Sequence, residues 1–284
     1  MKRLIWAPGL AAAALAAATL YSPASARADG TAPTHLTWCS TLTDELRNQT
    51  LAGLTTNAAG KPLNSYLSER TILFAQDGNP FTENRTLCNQ HVLIQFRHAY
   101  GWNDAAIKAK FGATWANAET LYNDIMTNKG FARVNSVFDI QPGDTFAFSY
   151  RDDPNSGYPS VTGHTGFINS IGPIYTHTFT SNGLTVRYRD LEVFDSANSG
   201  HSLDTRSFLA GQLGPDSPHT EWSGAGRGYM RIYVDANGEY LGYTWSMTGT
   251  KTQAPGTPPS WNYYNNNYKP KSLRHFAVGR VTVP

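Results

Sequence analysis

"PGDTFAFSYRDDPNSGYPSVTGHTGFINSI", Pro142 to Ile171, holds two apolar runs of strand length, TFAFSY and TGFINSI, with a polar loop between them. Short apolar runs bounded by Gly, Pro, Asn and Ser predict two neighbouring strands. His164 opens the second run, directly after Gly163 and two residues before Gly166. Glycine inside a strand allows another backbone to come close. An ionisable ring therefore stands where a second element can pack against it, which raises the question of what nucleophile it could serve.

Upstream of residue 135 the apolar spacing is helical. Helices are expected over 41–55, over 62–75 with Pro62 in its first turn, and over 87–101 with Val92, Leu93, Phe96 and Tyr100 on one face and a stop at Gly101. Further helices are expected at 103–112, capped by Asn103, and at 114–130, capped by Thr114 and stopped at Gly130. Downstream, strands are expected at 144–150, 164–171, 174–180 and 184–195, with Ser181-Asn182-Gly183 as a hairpin turn. A hairpin over 228–246 turns at Ala236-Asn237-Gly238, a last strand covers 274–283, and 247–272 reads as a long loop. Helices first and an antiparallel sheet afterwards define an α+β fold, with a helical part at 36–134 and a sheet part at 135–284 of one catalytic domain, 29–284.

The first residues read as a separate unit. Lys2 and Arg3 precede an Ala/Leu run and small residues at Ala24-Ser25-Ala26 and Ala26-Arg27-Ala28, the pattern of a bacterial secretory signal cleaved after about residue 28. The expected destination is the periplasm or the medium, with no stable membrane insertion. Loss of Lys2, Arg3 and Arg27 takes the formal charge from +2 to −1, so no basic face remains for nucleic acid. In an exported chain the two cysteines, Cys39 and Cys88, form either a disulfide or leave one working thiol.

Cys88 stands at the start of the 87–101 helix, where unpaired N–H groups and the positive dipole end favour a thiolate and an oxyanion. A thiol nucleophile needs a base, and the base needs an orienting group. His164 supplies the first. Asp195, at the end of the run LEVFD, supplies the second if the 184–195 strand lies beside 164–171.

TLCNQHVLIQFRHAYG, then PGDTFAF, then GHTGFI resembles the papain-like cysteine hydrolases, in particular NlpC-type peptidases and CHAP amidases, over about residues 85–200. The resemblance implies a papain-like fold with N-terminal helices on a C-terminal antiparallel sheet. It implies Cys88 as nucleophile, His164 as base and Asp195 as orienting group, with His177 as the rival third member. It also implies cleavage of an amide bond, with peptidoglycan or a peptide as substrate. The chain departs from the NlpC pattern in carrying Leu87 before the cysteine and Asn89-Gln90 after it. A transglutaminase-like acyltransferase would use the same order of residues.

Other features read more plainly. Asp144 is a turn residue, and His91, His98, His177, His201, His219 and His275 are surface or core-edge histidines. No HExxH or CxxC spacing appears, so neither metal nor cofactor is expected. GAGRGYMRIYVD (224–235) lacks the strand-helix context of a nucleotide site. The aromatic run WNYYNNNY (261–268) is either a sugar-stacking surface or a loop held by its own rings. A secreted, non-catalytic glycan- or protein-binding module with Cys39 and Cys88 bridged is the alternative to an enzyme.

Overall fold

A computed structural model describes residues 35–217, 220–247 and 252–283. The expected secretory segment, 1–28, and His219 lie outside the described residues. Helix α1 (His35–Leu51) buries Cys39, Leu42 and Leu46. The helix expected at 62–75 is instead two short strands, β1 (Asn64–Ser65) and β2 (Thr71–Leu73), on either side of β3 (Glu83–Arg85). Leu63 and Phe74 anchor this segment in one small cluster with Leu42, Leu46 and Ala225. Arg70, at φ 56°, turns the chain between the strands. A few tenths of a kcal/mol of helix propensity per residue does not outweigh burying both apolar ends.

Helix α2 (Cys88–Tyr100) follows the expected bounds, and its stripe Val92, Leu93 and Phe96 is fully buried. Burial stabilises by about 1.5–3 kcal/mol per such side chain. Helix α3 (Asp104–Phe111) is capped by Asn103, whose side chain accepts from the Ala106 N–H at 3.0 Å. Helix α4 (Ala118–Met126) begins later than expected, capped by Asn117 rather than Thr114. The Thr114 and Ala116 carbonyls are engaged elsewhere, by Arg97 at 3.1 Å and by Asn89 at 2.9 Å. Strand β4 (Phe131–Val134), not expected from the sequence, follows.

The remaining strands are β5 (Thr145–Ser149), β6 (Gly163–Thr178), β7 (Thr185–Ala197), β8 (Ser207–Phe208), β9 (Thr220–Glu221), β10 (Gly224–Val234), β11 (Tyr240–Thr244), β12 (Lys269–Pro270) and β13 (His275–Val281). Seven of these strands and β4 form one antiparallel sheet in the order β12-β11-β10-β7-β6-β5-β13-β4. The two strands expected at 164–171 and 174–180 are one long strand, β6, with register shifts at Ile168/Ser170 and Ile171/Ile174. The expected loop 247–272 contains a short helix, α5 (Trp261–Asn267), whose Trp261 and Tyr264, with Tyr268 just beyond it, pack on Phe179, Tyr188 and Tyr233. Its aromatic run is thus tied to the far end of the β6-β7 hairpin.

Side chains alternate across the sheet, as a two-residue period requires. Ala147, Phe167, Phe194 and Ala277 face the helical core with Val92, Leu93 and Phe96. Phe146, Phe148, Ile168, Val193 and Ile232 face the other side and form a second core. The sheet is strongly rolled around that second core. Flat, β11 and β13 would lie about 24 Å apart, five strand spacings, yet the Tyr240 and Phe276 rings are 4.8 Å apart and the Phe148 and Tyr243 rings stack at 4.2 Å. The described residues thus form an α+β fold with five α-helices and a large antiparallel sheet. None of the described helices is long and apolar enough to cross a membrane.

Candidate active site

Register brings the site together. Gly166 on β6 lies opposite Asp195 on β7. His164, two residues earlier, therefore points to the same face as Asp195, one diagonal step away. Its Nε2 is 2.7 Å from Asp195 Oδ2. Glycine is required here by close approach: a Cβ at Gly166 would sit 2.3 Å from the Phe194 carbonyl oxygen and 2.9 Å from the Phe146 ring. A Cβ at Gly163 would overlap the Phe148 carbonyl oxygen at 1.9 Å.

Cys88 is the first residue of α2 and is buried, at 4% exposure. Leu87 at the N-cap offers no side-chain acceptor to the first-turn N–H groups, which leaves the positive end of the helix open beside the sulfur. With Nε2 engaged by Asp195, Nδ1 is the ring nitrogen left to Cys88. Burial alone would push the thiol up, but the hydrogen bond and charge of His164, a hydrogen bond from Tyr66 and the Thr165 backbone draw it below its ordinary value. Burial would likewise push His164 down, but hydrogen bonds to Asp195 and Cys88 and their charges raise it to about 9. Both shifts favour the same pair, thiolate and imidazolium.

Three groups that the sequence reading did not assign complete the cluster. Tyr66 places its hydroxyl 3.8 Å from Cys88 Sγ. His201, fully buried rather than at the surface, sets Nε2 2.9 Å from Asp195 Oδ2 and donates from Nδ1 to the Trp245 carbonyl at 2.7 Å. Arg206, also buried, donates to Asp195 Oδ1 at 2.8 Å and to both oxygens of Asp204. Burial disfavours an Asp195 carboxylate, but the charges of Arg206 and His201 hold it well below the usual carboxylate range. The Trp245 ring lies against both histidines, at 4.8 Å from His164 and 4.2 Å from His201. HSLDTR follows the Asp195 strand in a turn, but a lone histidine or arginine there carries no spacing that marks it out.

The other expectations resolve by position. His177 is the thirteenth residue after His164 on the same strand, about 40 Å away at about 3.3 Å per residue. There its ring meets Phe179 edge-on, so it is not the third member. His91 is fully buried rather than peripheral, with Nε2 3.8 Å from Cys39 Sγ, and burial lowers it to about 4. His98 and His275 are partly exposed and pair with Asp77 and Asp152. Asp144 serves its turn, accepting from the Gln141 N–H at 2.8 Å, and pairs with Arg280. Both cysteines are free thiols, so the bridge expected in the binding-module alternative is not formed: one sulfur faces His164 and Tyr66, the other His91.

His164, Asp195 and His201 offer ligand atoms within 4.8 Å of one another, a donor set that suits a divalent transition metal. Here those atoms are engaged with each other, and the Arg206 guanidinium on the same carboxylate would repel a cation. A cavity of about 430 Å³, bordered by Tyr122, Arg133, Tyr240 and Phe276, includes none of these residues and lies away from the sulfur.

No family model matches the chain. No solved structure matches it. Over 209 residues it is 28% identical to a protein of Acanthamoeba polyphaga mimivirus named "Uncharacterized protein R653", a match covering 70% of this chain and 78% of that one.

Proposed function

We propose that this protein is an exported cysteine hydrolase of papain-like type that cleaves an amide bond, with peptidoglycan peptide as the substrate class. The observation that carries the reading is the line Cys88–His164–Asp195, in which the thiol is drawn down and the imidazole raised. Cys39, whose neighbour His91 is lowered by burial to about 4 and offers no charge, is pushed the other way by its burial.

In this reading the Cys88 thiolate attacks the scissile carbonyl carbon. The developing oxyanion meets the first-turn N–H groups of α2 and the Tyr66 hydroxyl, both beside the sulfur. His164 gives its proton to the departing amine, leaving an acyl-thioester on Cys88. The neutral imidazole then takes a proton from water, whose oxygen attacks the thioester and frees the acid. Asp195, fixed by Arg206 and His201, holds the His164 ring in place throughout.

The test is digestion of purified peptidoglycan and of model peptides, followed by mass analysis of the fragments. The wild-type protein releases new amine and carboxylate ends. Cys88→Ala abolishes release while its far-ultraviolet circular dichroism stays unchanged. Undiminished turnover in that variant refutes the reading.

A further inference from the structure

The first turn of α2 is walled on two sides. On one side the segment after β1 brings the Tyr66 hydroxyl to Cys88 and the Ser68 hydroxyl to Gln90 Nε2 at 3.0 Å. On the other, the Ala116 carbonyl accepts from Asn89 at 2.9 Å. Arg70 spans the two walls: it follows Ser68 by two residues, and its guanidinium lies over the Trp115 ring, 4.6 Å from the centroid. Arg97 lies on the same ring at 4.3 Å but is neutralised by Asp104 at 2.6 Å. Neighbouring Glu69 is held by Arg85 and Lys61. Among the described residues no carboxylate pairs with Arg70, which is exposed. Its backbone adopts φ 56°, a left-handed conformation that a residue with a side chain rarely takes. A charge left unpaired, placed over an indole ring and carried on left-handed backbone is arranged to receive something.

We propose that Arg70 is the receptor for a carboxylate carried by the substrate next to the cleaved amide, so that the enzyme acts on acidic peptides. This rests on Cys88 being the nucleophile. A planar guanidinium takes a carboxylate through two parallel N–H donors, and its fixed position on Trp115 lowers the entropy lost on binding. A neutral peptide offers no partner at this point and binds more weakly.

The test compares alkylation of Cys88 by iodoacetate, an anion, with that by neutral iodoacetamide, in the full-length protein and in Arg70→Gln and Arg70→Lys. Both substitutions are at an exposed position, and the amide and the amine keep a long polar chain there. The ratio of the iodoacetate to the iodoacetamide rate is expected to fall about two- to threefold in Arg70→Gln at low salt, the size expected of one solvent-screened charge. Arg70→Lys keeps most of it, and the difference between wild type and Arg70→Gln fades at high salt. A ratio unchanged in Arg70→Gln overturns the carboxylate receptor while leaving Cys88 as nucleophile. Absence of reaction at Cys88 with either reagent in the wild type overturns both readings.

Discussion

Asp195 carries more than its partner histidine. One buried carboxylate answers His164, His201 and Arg206 together. Replacing it by Asn keeps the shape but leaves two buried donors without a countercharge, a loss of about 3–5 kcal/mol. His164 then loses the first of the contacts that raise it, so its pKa falls and Cys88 is less well held as thiolate. Asp195→Asn is expected to shift the pH dependence of iodoacetamide alkylation at Cys88 to higher pH and to lower the urea midpoint. An unmoved alkylation profile would show that Asp195 does not act through His164. Cys88, His164 and Asp195 were legible in the sequence because each stands at the end of a recognisable element. Tyr66 was not, because it sits in a segment read as helix. His201 and Arg206 were not, because an isolated histidine or arginine in a turn carries no pattern of its own.

At the scale of elements, the site depends on β6 lying tightly between β5 and β7. Gly166 is the point of closest approach, and Gly166→Ala forces the Phe194 carbonyl or the Phe146 ring to move. The expected cost is about 1–3 kcal/mol, read as a lower melting temperature, together with slower alkylation of Cys88 as His164 leaves its register with Asp195. A stable variant with unchanged alkylation would mean that the strands tolerate a wider gap. The helix α2 was legible from its 3.6-residue stripe and its stop at Gly101, and β5, β7 and the β10-β11 hairpin from alternation and turn residues. The 62–75 segment was misread because its apolar residues satisfy a helical spacing by count, whereas Leu63 and Phe74 are in fact two ends of a folded-back loop pinned to α1.

For the whole molecule, buried histidines set the pH range of stability. His35 donates to the Gly143 carbonyl at 2.9 Å and accepts from Tyr100 at 2.7 Å, a neutral ring, and burial lowers it to about 4. His91 is lowered by burial to about 4 as well. A histidine depressed on folding stabilises fully above its unfolded value of about 6.5 and loses that contribution as pH falls towards 4. The two together are expected to remove several kcal/mol across that interval, at about 1.4 kcal/mol per pH unit for each ring. His164 runs the other way: raised to about 9, its contribution taken alone would be complete below about 6.5 and lost as pH rises through 9. The Cys88 thiol is lowered beside it and gives up a proton where His164 keeps one, so the two largely cancel. Urea midpoints should therefore rise from pH 4 and level off near neutrality, and His91→Gln should flatten the acid side. A profile flat from pH 4 to 7 would contradict this balance.

By itself the sequence determined the α+β order, the helix that begins at Cys88, the strand that carries His164 and the strand that carries Asp195, because periodicity, caps and turn residues act over a few neighbours. Only the tertiary structure decided that the sheet rolls until β11 meets β13, that β6 runs unbroken, that the two sulfurs stay apart, and that His201, Arg206 and Tyr66 join the cluster. Those outcomes follow from which buried groups find partners across 20 to 160 residues of chain, as Tyr66 does with Cys88 and Asn64 with Ala225. Local spacing does not encode such pairings; burial in one shared core does.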